Sequence, residues 1–346
     1  MRKNNFVCII LAIILGIAGI NVQIPEKSDT DIVKAAQVDF DIDDKGILTQ
    51  YNGTETNVVI PDGVTGIDAF AFLNCSSINS ITIPDSVTSI GEFAFSGCSS
   101  LKEIILPNSV KKIGDRAFNN CNSLVNITIP KSVTSIAYNL FSGCHALEKI
   151  TVEKGNKKFK DTDGILFGES SSGLNLVAYP AGRKGTAYTI PKKVTSIGIG
   201  AFFDCSRLKK IIIPSGVKSI GKSAFRGCSS LTELTIPSGV KEIQYIRGSF
   251  WECDSLKNLK MSVAKGKKVY ATVILDEGSD QRKPTITSTK KKVATVSKPF
   301  YKTDEIGETS AKVTIAAKSK GKTKVIFQRI SKNNKKIKSV LTLAVS

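Results

Sequence analysis

Residues 101–123 read LKEIILPNSVKKIGDRAFNNCNS, and the chain restates this stretch about every 23 residues across two thirds of its 346 residues. Two residue types mark the copies, a proline after the first apolar run and a cysteine near the end. They are Pro61, Pro84, Pro107, Pro130, Pro191, Pro214 and Pro237, and Cys75, Cys98, Cys121, Cys144, Cys205, Cys228 and Cys253. A unit this short cannot bury its apolar side alone, so the sequence predicts a solenoid of stacked coils.

Each copy predicts a strand, a turn, a second strand and a short helix. Residues 101–106 have the pattern of a strand, and Pro107 ends it because proline supplies no ladder donor. Residues 110–113 indicate a second short strand, and the apolar spacing in residues 115–121 is typical of one or two helical turns. We expect the phenylalanines of the copies to form one continuous buried row, made of Phe72, Phe95, Phe118, Phe141, Phe202, Phe225 and Phe250.

The first 36 residues predict a signal for export. Two cations precede an apolar run at residues 6–20, shorter than the roughly 20 residues that span a bilayer comfortably. Cleavage after Ala18 or near Ala35 would leave no stable transmembrane anchor, and an uncleaved anchor is the alternative. Cleavage would also remove Cys8 and leave an odd number of cysteines, all in one repeat slot. We therefore expect small buried thiols, not disulfides or a metal site.

The solenoid, predicted over residues 37–261, has two irregular stretches. Residues 37–60 alternate apolar and polar side chains and predict a hairpin that caps the first coil. Residues 153–186 replace a regular copy, and strand-like runs at 164–167 and 174–179 predict a projecting hairpin. The aromatic side chains of this insert are a candidate binding site, comprising Phe159, Phe167 and Tyr179.

The last segment, residues 262–346, predicts a basic β-sandwich. Residues 257–346 hold 22 Lys/Arg against 6 Asp/Glu, so they carry +16 of the formal net charge of +19. Strand-like runs lie at 268–275, 284–287, 292–297, 312–317, 322–329 and 338–345. This charge favours an anionic cell-wall polymer as partner, and a merely solvated surface is the alternative. Arginines and aromatic side chains are too few for specific nucleic-acid recognition.

The unit I-x-I-P-x-x-V-x-x-I-G-x-x-A-F-x-x-C-x-x-L resembles the bacterial leucine-rich repeats of the BspA type over about residues 40–261. The insert is also similar to one in that family, where D-G-[VI]-L-[FY] and Y-P occur together, here at 163–167 and 179–180. Residues 291–297 and 312–327 resemble bacterial immunoglobulin-like domains. These resemblances imply a secreted or cell-surface protein that serves adhesion or ligand binding and has no enzymatic activity.

The residues offer little for catalysis. The one histidine, His145, stands in GCHAL where other copies read GCSSL, so a solvated turn position is expected. The chain has no nucleophile elbow, phosphate loop or paired-cysteine zinc spacing. We expect no cofactor. The alternative function is a secreted hydrolase or hydrolase accessory with an unrecognised carboxylate site, because carboxylate separations cannot be derived from sequence.

The outward positions of the first strand of each copy form the main candidate site, which we call the strand face. Its residues are Lys102, Glu103, Ile105, Asn126, Thr128, Glu148, Lys149, Thr151, Lys209, Lys210, Thr232, Glu233 and Thr235. Stacked coils would place them on one long parallel sheet, open to an extracellular protein or glycan. The alternative is that Thr and Ile there only favour strand formation. The sequence thus predicts a non-enzymatic surface binding protein of adhesin type.

Overall fold

The computed structural model of the chain describes residues 39–240 without interruption and parts of the remainder. Those parts are residues 242–243, 253, 255–256, 258–263, 266, 268–275, 285–288, 290–296, 300–303, 309–330 and 336–345. The predicted export signal, Cys8 and Phe250 lie outside the described residues. The described secondary structure consists of strands and turns, with no helix among these residues.

The strands are numbered in chain order. The first fourteen are β1 (Phe40–Ile42), β2 (Ile47–Tyr51), β3 (Asn57–Val59), β4 (Gly66–Ile67), β5 (Ser80–Thr82), β6 (Ser89–Ile90), β7 (Glu103–Ile105), β8 (Lys112–Ile113), β9 (Asn126–Ile129), β10 (Ser135–Ile136), β11 (Lys149–Val152), β12 (Phe159–Thr162), β13 (Ile165–Ser170) and β14 (Gly173–Ala178). The others are β15 (Ala187–Thr189), β16 (Val194–Ile197), β17 (Lys210–Ile212), β18 (Ser219–Ile220), β19 (Glu233–Ile236), β20 (Glu242–Ile243), β21 (Asn258–Val263), β22 (Lys268–Leu275), β23 (Thr285–Ser288), β24 (Ala294–Val296), β25 (Phe300–Thr303), β26 (Thr309–Ala317), β27 (Gly321–Ile330) and β28 (Lys336–Val345).

Consecutive coils add their strands in parallel, one repeat apart. The first strands pair as β3-β5-β7, β9-β11 and β15-β17-β19-β21, and the second strands as β2-β4-β6-β8-β10 and β14-β16-β18-β20. Asn57 pairs with Ser80 and Ser80 pairs with Glu103, so the register repeats every 23 residues. The predicted solenoid is confirmed, with about eight turns. Antiparallel β1 and β2 form the predicted hairpin at the start of the first stack.

The short helices predicted at residues 115–121 and their counterparts are wrong. In these segments a backbone N–H group often bonds to the next coil, as Phe72 does to Ala94 O (2.7 Å) and Asn74 to Ser96 O (2.7 Å). Left-handed residues interrupt each segment, such as Phe70 (φ 64°) and Asn74 (φ 61°). A helix needs right-handed dihedrals and bonds within the segment. The apolar spacing instead comes from turns stacked between coils.

The repeat phenylalanines form two buried stacks. The first runs from Tyr51 to Phe141 and the second from Tyr179 to Phe225, with neighbouring ring centroids 5.2–5.9 Å apart. The stacks belong to two separate hydrophobic clusters, so the expectation of one continuous row is wrong at the insert. Burial by neighbouring coils supplies the stabilisation that a single coil lacks.

The cysteines join neighbouring coils through their thiols. The Sγ of Cys98 donates to Phe72 O (3.3 Å), Cys121 to Phe95 O (3.2 Å) and Cys144 to Phe118 O (2.9 Å). Burial raises the pKa of the Cys98 thiol to about 12. A thiol held protonated in this way is a weak nucleophile, which is consistent with the structural role expected for this slot.

The insert is part of the stack and does not project as a hairpin. Strands β12, β13 and β14 are antiparallel and belong to the ten-stranded sheet that continues through β16. Leu166 packs in the first hydrophobic cluster, while Ile165 and Phe167 pack in the second. Successive side chains of a strand point to opposite faces, so β13 separates the two clusters. The turn at residues 169–172 is exposed, as are residues 154–155, 157–158, 162–163 and 184–186.

Both solenoid sheets continue into residues 262–346. Strand β22 pairs in parallel with β20, and β28 pairs in parallel with β21. The six predicted strand runs are present as β22, β23, β24, β26, β27 and β28, and β25 is an additional strand. Ile315, Val325 and Leu343 share the second hydrophobic cluster with the solenoid. The immunoglobulin-like fold and the domain boundary at residue 262 stay predictions.

Candidate functional site

The strand face has the predicted outward orientation. In the first strands from β3 to β19 the inward residue is buried, except for the half-buried Tyr188, and its neighbours are exposed or half-buried, as Ile104 lies between Glu103 and Ile105. The register places Thr82 beside Ile105 and Thr128 beside Thr151, so equivalent side chains form stripes across the coils. All thirteen predicted residues are exposed or half-buried. The period of two in a strand accounts for this result.

Two shallow grooves lie on the strand face at equivalent positions of the two half-solenoids. The first, about 490 Å³, is lined by Lys102, Glu103, Ile105, Asn126, Thr128 and Glu153, with the intervening backbone at its floor. The second, about 450 Å³, is lined by Lys209, Lys210, Ile212, Thr232, Glu233 and Thr235. Each groove combines lysine, glutamate and threonine side chains with one exposed isoleucine. The two grooves therefore offer similar hydrogen-bonding and apolar groups.

The exposed isoleucines are the apolar centres of these grooves. Ile105 is 71% exposed and Ile212 is 46% exposed. Single exposed apolar residues are ordinary on protein surfaces. Here, however, the two occupy the same repeat slot in separate halves, each beside a threonine, at Thr128 and Thr235. This arrangement provides apolar contact flanked by hydroxyl groups.

The insert covers the end of the first half of the strand face. Ile150 N–H donates to Gly164 O (2.9 Å), and Lys184 Nζ lies 3.7 Å from Glu148 Oε1. Glu148 and Thr151 are consequently half-buried, whereas Lys149 is exposed. The strand face is thus divided into two accessible parts, each with one groove.

The aromatic residues predicted as a site at the insert are mostly in the core. Phe167 is fully buried, Tyr179 is buried and Phe159 is half-buried. Burial raises the pKa of Tyr179 to about 12, and its ring stacks on Phe202 at 5.4 Å. Phe167 and Tyr179 therefore join the insert to the second cluster and do not present a ring to a ligand.

A second surface was missed by sequence reasoning. We call it the turn row, the slot two residues before each buried phenylalanine. Its members are Phe70, Phe93, Arg116, Asn139, Gly200 and Ser223, all with positive φ between 50° and 64°. Asn and Gly tolerate this backbone conformation, whereas Phe and Arg rarely adopt it. The signal in the sequence is the presence of bulky side chains in three consecutive copies.

The bulky members of the turn row stack on one another. The rings of Phe70 and Phe93 lie 5.3 Å apart and 10° from parallel, and the Arg116 guanidinium lies 5.2 Å from the Phe93 ring centroid. Such a ring pair contributes about 0.5–1.5 kcal/mol and an exposed cation–π contact about 0.5–1 kcal/mol. A left-handed backbone costs an ordinary residue about 1–2 kcal/mol. The contacts only offset this cost, so stability does not explain the choice of residues.

The described residues hold no cluster of three or more His, Cys, Asp or Glu side chains with metal-site geometry. His145 lies exposed in its turn. Burial raises the pKa of Asp115, against the effect of the adjacent Arg116 guanidinium. No helix in the described part of the chain is long and apolar enough to cross a membrane.

Comparison with known proteins identifies the repeat. The family model for the BspA type leucine rich repeat region matches residues 50–163 and 181–271, in six copies. A leucine-rich cell surface protein of Faecalibacterium prausnitzii is 24% identical, with a TM-score of 0.40, over 64% of this chain and 92% of that one. The pneumococcal vaccine antigen PcpA is also 24% identical (TM-score 0.46; 61% and 62% covered). A leucine-rich repeat protein of Bacteroides ovatus is 28% identical (TM-score 0.42; 61% and 50% covered). Among curated proteins, none matches the chain.

Proposed function

Because the chain belongs to the family with BspA-type leucine-rich repeats, we propose that it is a secreted or cell-surface binding protein without enzymatic activity. Its strand face binds an extracellular protein or glycan in the manner of an adhesin. The observation that carries this proposal is the pair of equivalent grooves around Ile105 and Ile212. Repetition of one set of side chains favours a ligand that is itself repetitive or extended, since two weak sites linked on one scaffold gain avidity.

The basic segment at residues 257–346 has a separate role in this proposal. Its +16 charge attracts an anionic cell-wall polymer and holds the protein at the envelope. Retention of the mature chain on purified cell walls should then fall steeply between low and high salt, because screening weakens exposed charge interactions. Retention that persists at high salt would contradict electrostatic attachment.

The strand face is tested by a screen of the mature chain, residues 37–346, against host extracellular proteins and a glycan array. A ligand found there is then measured with the double variant I105E/I212E and with the control Y138E, which changes an exposed side chain in a turn. We expect the double variant to lose affinity by about tenfold or more and the control to keep it. Equal binding by both variants would place the ligand elsewhere.

A panel of glycosidase and peptidase substrates tests the alternative of a hydrolase. We expect no turnover by the mature chain. Reproducible turnover that a single Asp→Asn or Glu→Gln substitution abolishes would replace the binding proposal with a catalytic one.

A further inference from the structure

The outer face of Phe70 ends the stack formed by the turn row. In chain order the stack consists of the Phe70 ring, the Phe93 ring and the Arg116 guanidinium. Phe70 is 48% exposed, whereas Phe93 is half-buried between its two neighbours. The Phe93 ring contacts the Phe70 ring, and the planar Arg116 guanidinium also lies over the Phe93 ring. Phe70 has a ring neighbour on one side only among the described residues.

The first coil leaves this outer face uncovered. Asp68 N–H donates to Leu48 O, so Leu48 is the counterpart of Ile67 in the next coil. Tyr51 N–H donates to Ala71 O, so Tyr51 is the counterpart of Phe72. The equivalent groups bond in the same way one coil later. The first coil is two residues shorter between these points. It therefore has no residue in the slot that Phe70 and Phe93 occupy in the next coils.

Guanidinium groups already lie over ring faces in the described chain. Within the turn row Arg116 lies over Phe93 at 5.2 Å, and in the second half-solenoid Arg226 lies over Phe203 at 5.3 Å, in the slot that directly follows the buried phenylalanine. A ring face attracts a cation through its quadrupole. The outer face of Phe70 offers the same chemistry without a cation of the described chain upon it.

The surrounding charge also favours a cation. Residues 39–100 contain nine Asp/Glu and one Lys, a formal charge of −8. Asp68 lies two residues before Phe70 in the same coil, and its N–H donates to Leu48 O of the first coil (2.8 Å). Asp68 is exposed. We propose that the outer face of Phe70, with Asp68, binds an arginine or lysine side chain of a basic protein segment. This site is distinct from the strand face and does not depend on it.

The test titrates the mature chain with a short Gly-Arg repeat peptide at low salt and, separately, with a peptide in which citrulline replaces arginine. Citrulline keeps the shape and removes the charge. We expect the citrulline peptide to bind about fivefold more weakly or worse, because it loses the cation–π contact and the charge interaction with the carboxylate. The variant F70N should lose affinity to a similar degree and melt at the same or a higher temperature, because Asn139 occupies this slot in its own coil. D68N should weaken binding and leave the ring stack in place.

The matched control is S223N, which places asparagine in the same slot of the second half-solenoid. It should bind the arginine peptide as the unaltered chain does. Three results would overturn the proposal. The first is unchanged arginine-peptide affinity in F70N. The second is a fall of several degrees in its melting temperature, which would assign the ring to stability. The third is binding of a neutral oligosaccharide that F70N abolishes while the arginine peptide fails to bind, which would make the ring a sugar platform.

Discussion

Two rows of phenylalanine positions run along the same coils, two residues apart, and they behave in opposite ways. Phe72 and Phe95 are fully buried and stack at 5.2 Å, whereas Phe70 and Phe93 stack at 5.3 Å on the surface with left-handed backbones. The buried slot holds phenylalanine in every regular copy. The surface slot changes to Arg116, Asn139, Gly200 and Ser223 further along. Ring stacking alone therefore does not distinguish a structural residue from a functional one, and burial together with backbone conformation does.

The largest effect should come from the buried ring that the insert contributes to the core. Phe167→Ala removes a fully buried ring from β13 and should lower the free energy of unfolding by about 3–5 kcal/mol. Phe159→Ala, in the neighbouring strand, removes a half-buried ring and should cost clearly less. Urea denaturation measures both. Small losses of similar size for both variants would instead support the projecting hairpin that the sequence predicted.

A smaller loss of stability is expected when a thiol that bonds to the neighbouring coil is removed. Cys121→Ala leaves Phe95 O without the Sγ donor at 3.2 Å and creates a small cavity, so unfolding should become easier by about 1–3 kcal/mol. The control is Cys75→Ala, at a half-buried thiol of the first copy, which should cost less. A larger loss at Cys75 would contradict the role given to the inter-coil bond.

The same thiols predict a loss of stability at alkaline pH. Burial raises the pKa of Cys98 from 9.0 to about 12, so the folded state keeps a proton that the unfolded state releases. This contribution is fully present below about pH 9 and is lost as pH rises towards 12. Urea denaturation at pH 7, 9 and 10 should show a decline, and Cys98→Ala should decline less steeply. Parallel curves for the two proteins would contradict the assignment.

The smallest effect should be a gain in the surface row. Phe70→Asn replaces a strained left-handed residue by one that tolerates this conformation and should change stability by about 0–1 kcal/mol in the favourable direction. Differential scanning calorimetry detects the corresponding shift. A clear loss of stability would mean that the Phe70–Phe93 contact is worth more than its backbone strain.

The sequence predicted the features that depend on periodicity. The two strands of each coil, the outward residues around Ile105 and the buried rings of Phe72 and its counterparts follow from spacing that every copy repeats. The strand runs after residue 262 were also predicted closely, because alternation and turn residues mark them locally.

The features that depend on contacts between coils were not predictable in this way. The helical spacing of residues 115–121 arises from turns whose N–H groups bond to the next coil. Phe167 and Tyr179 looked available for binding because the insert breaks the repeat, but β13 is buried between two clusters. The turn row was missed because Phe70 and Phe93 read as ordinary apolar residues until their positive φ is known.

The most direct test compares Phe72→Ala with Phe70→Ala, the same substitution in one coil at positions two residues apart. Phe72→Ala should lower the free energy of unfolding in urea by about 3–5 kcal/mol, and Phe70→Ala should lower it by less than about 1.5 kcal/mol. Equal losses for the two variants would contradict the division into a buried row that holds the solenoid together and a surface row available for binding.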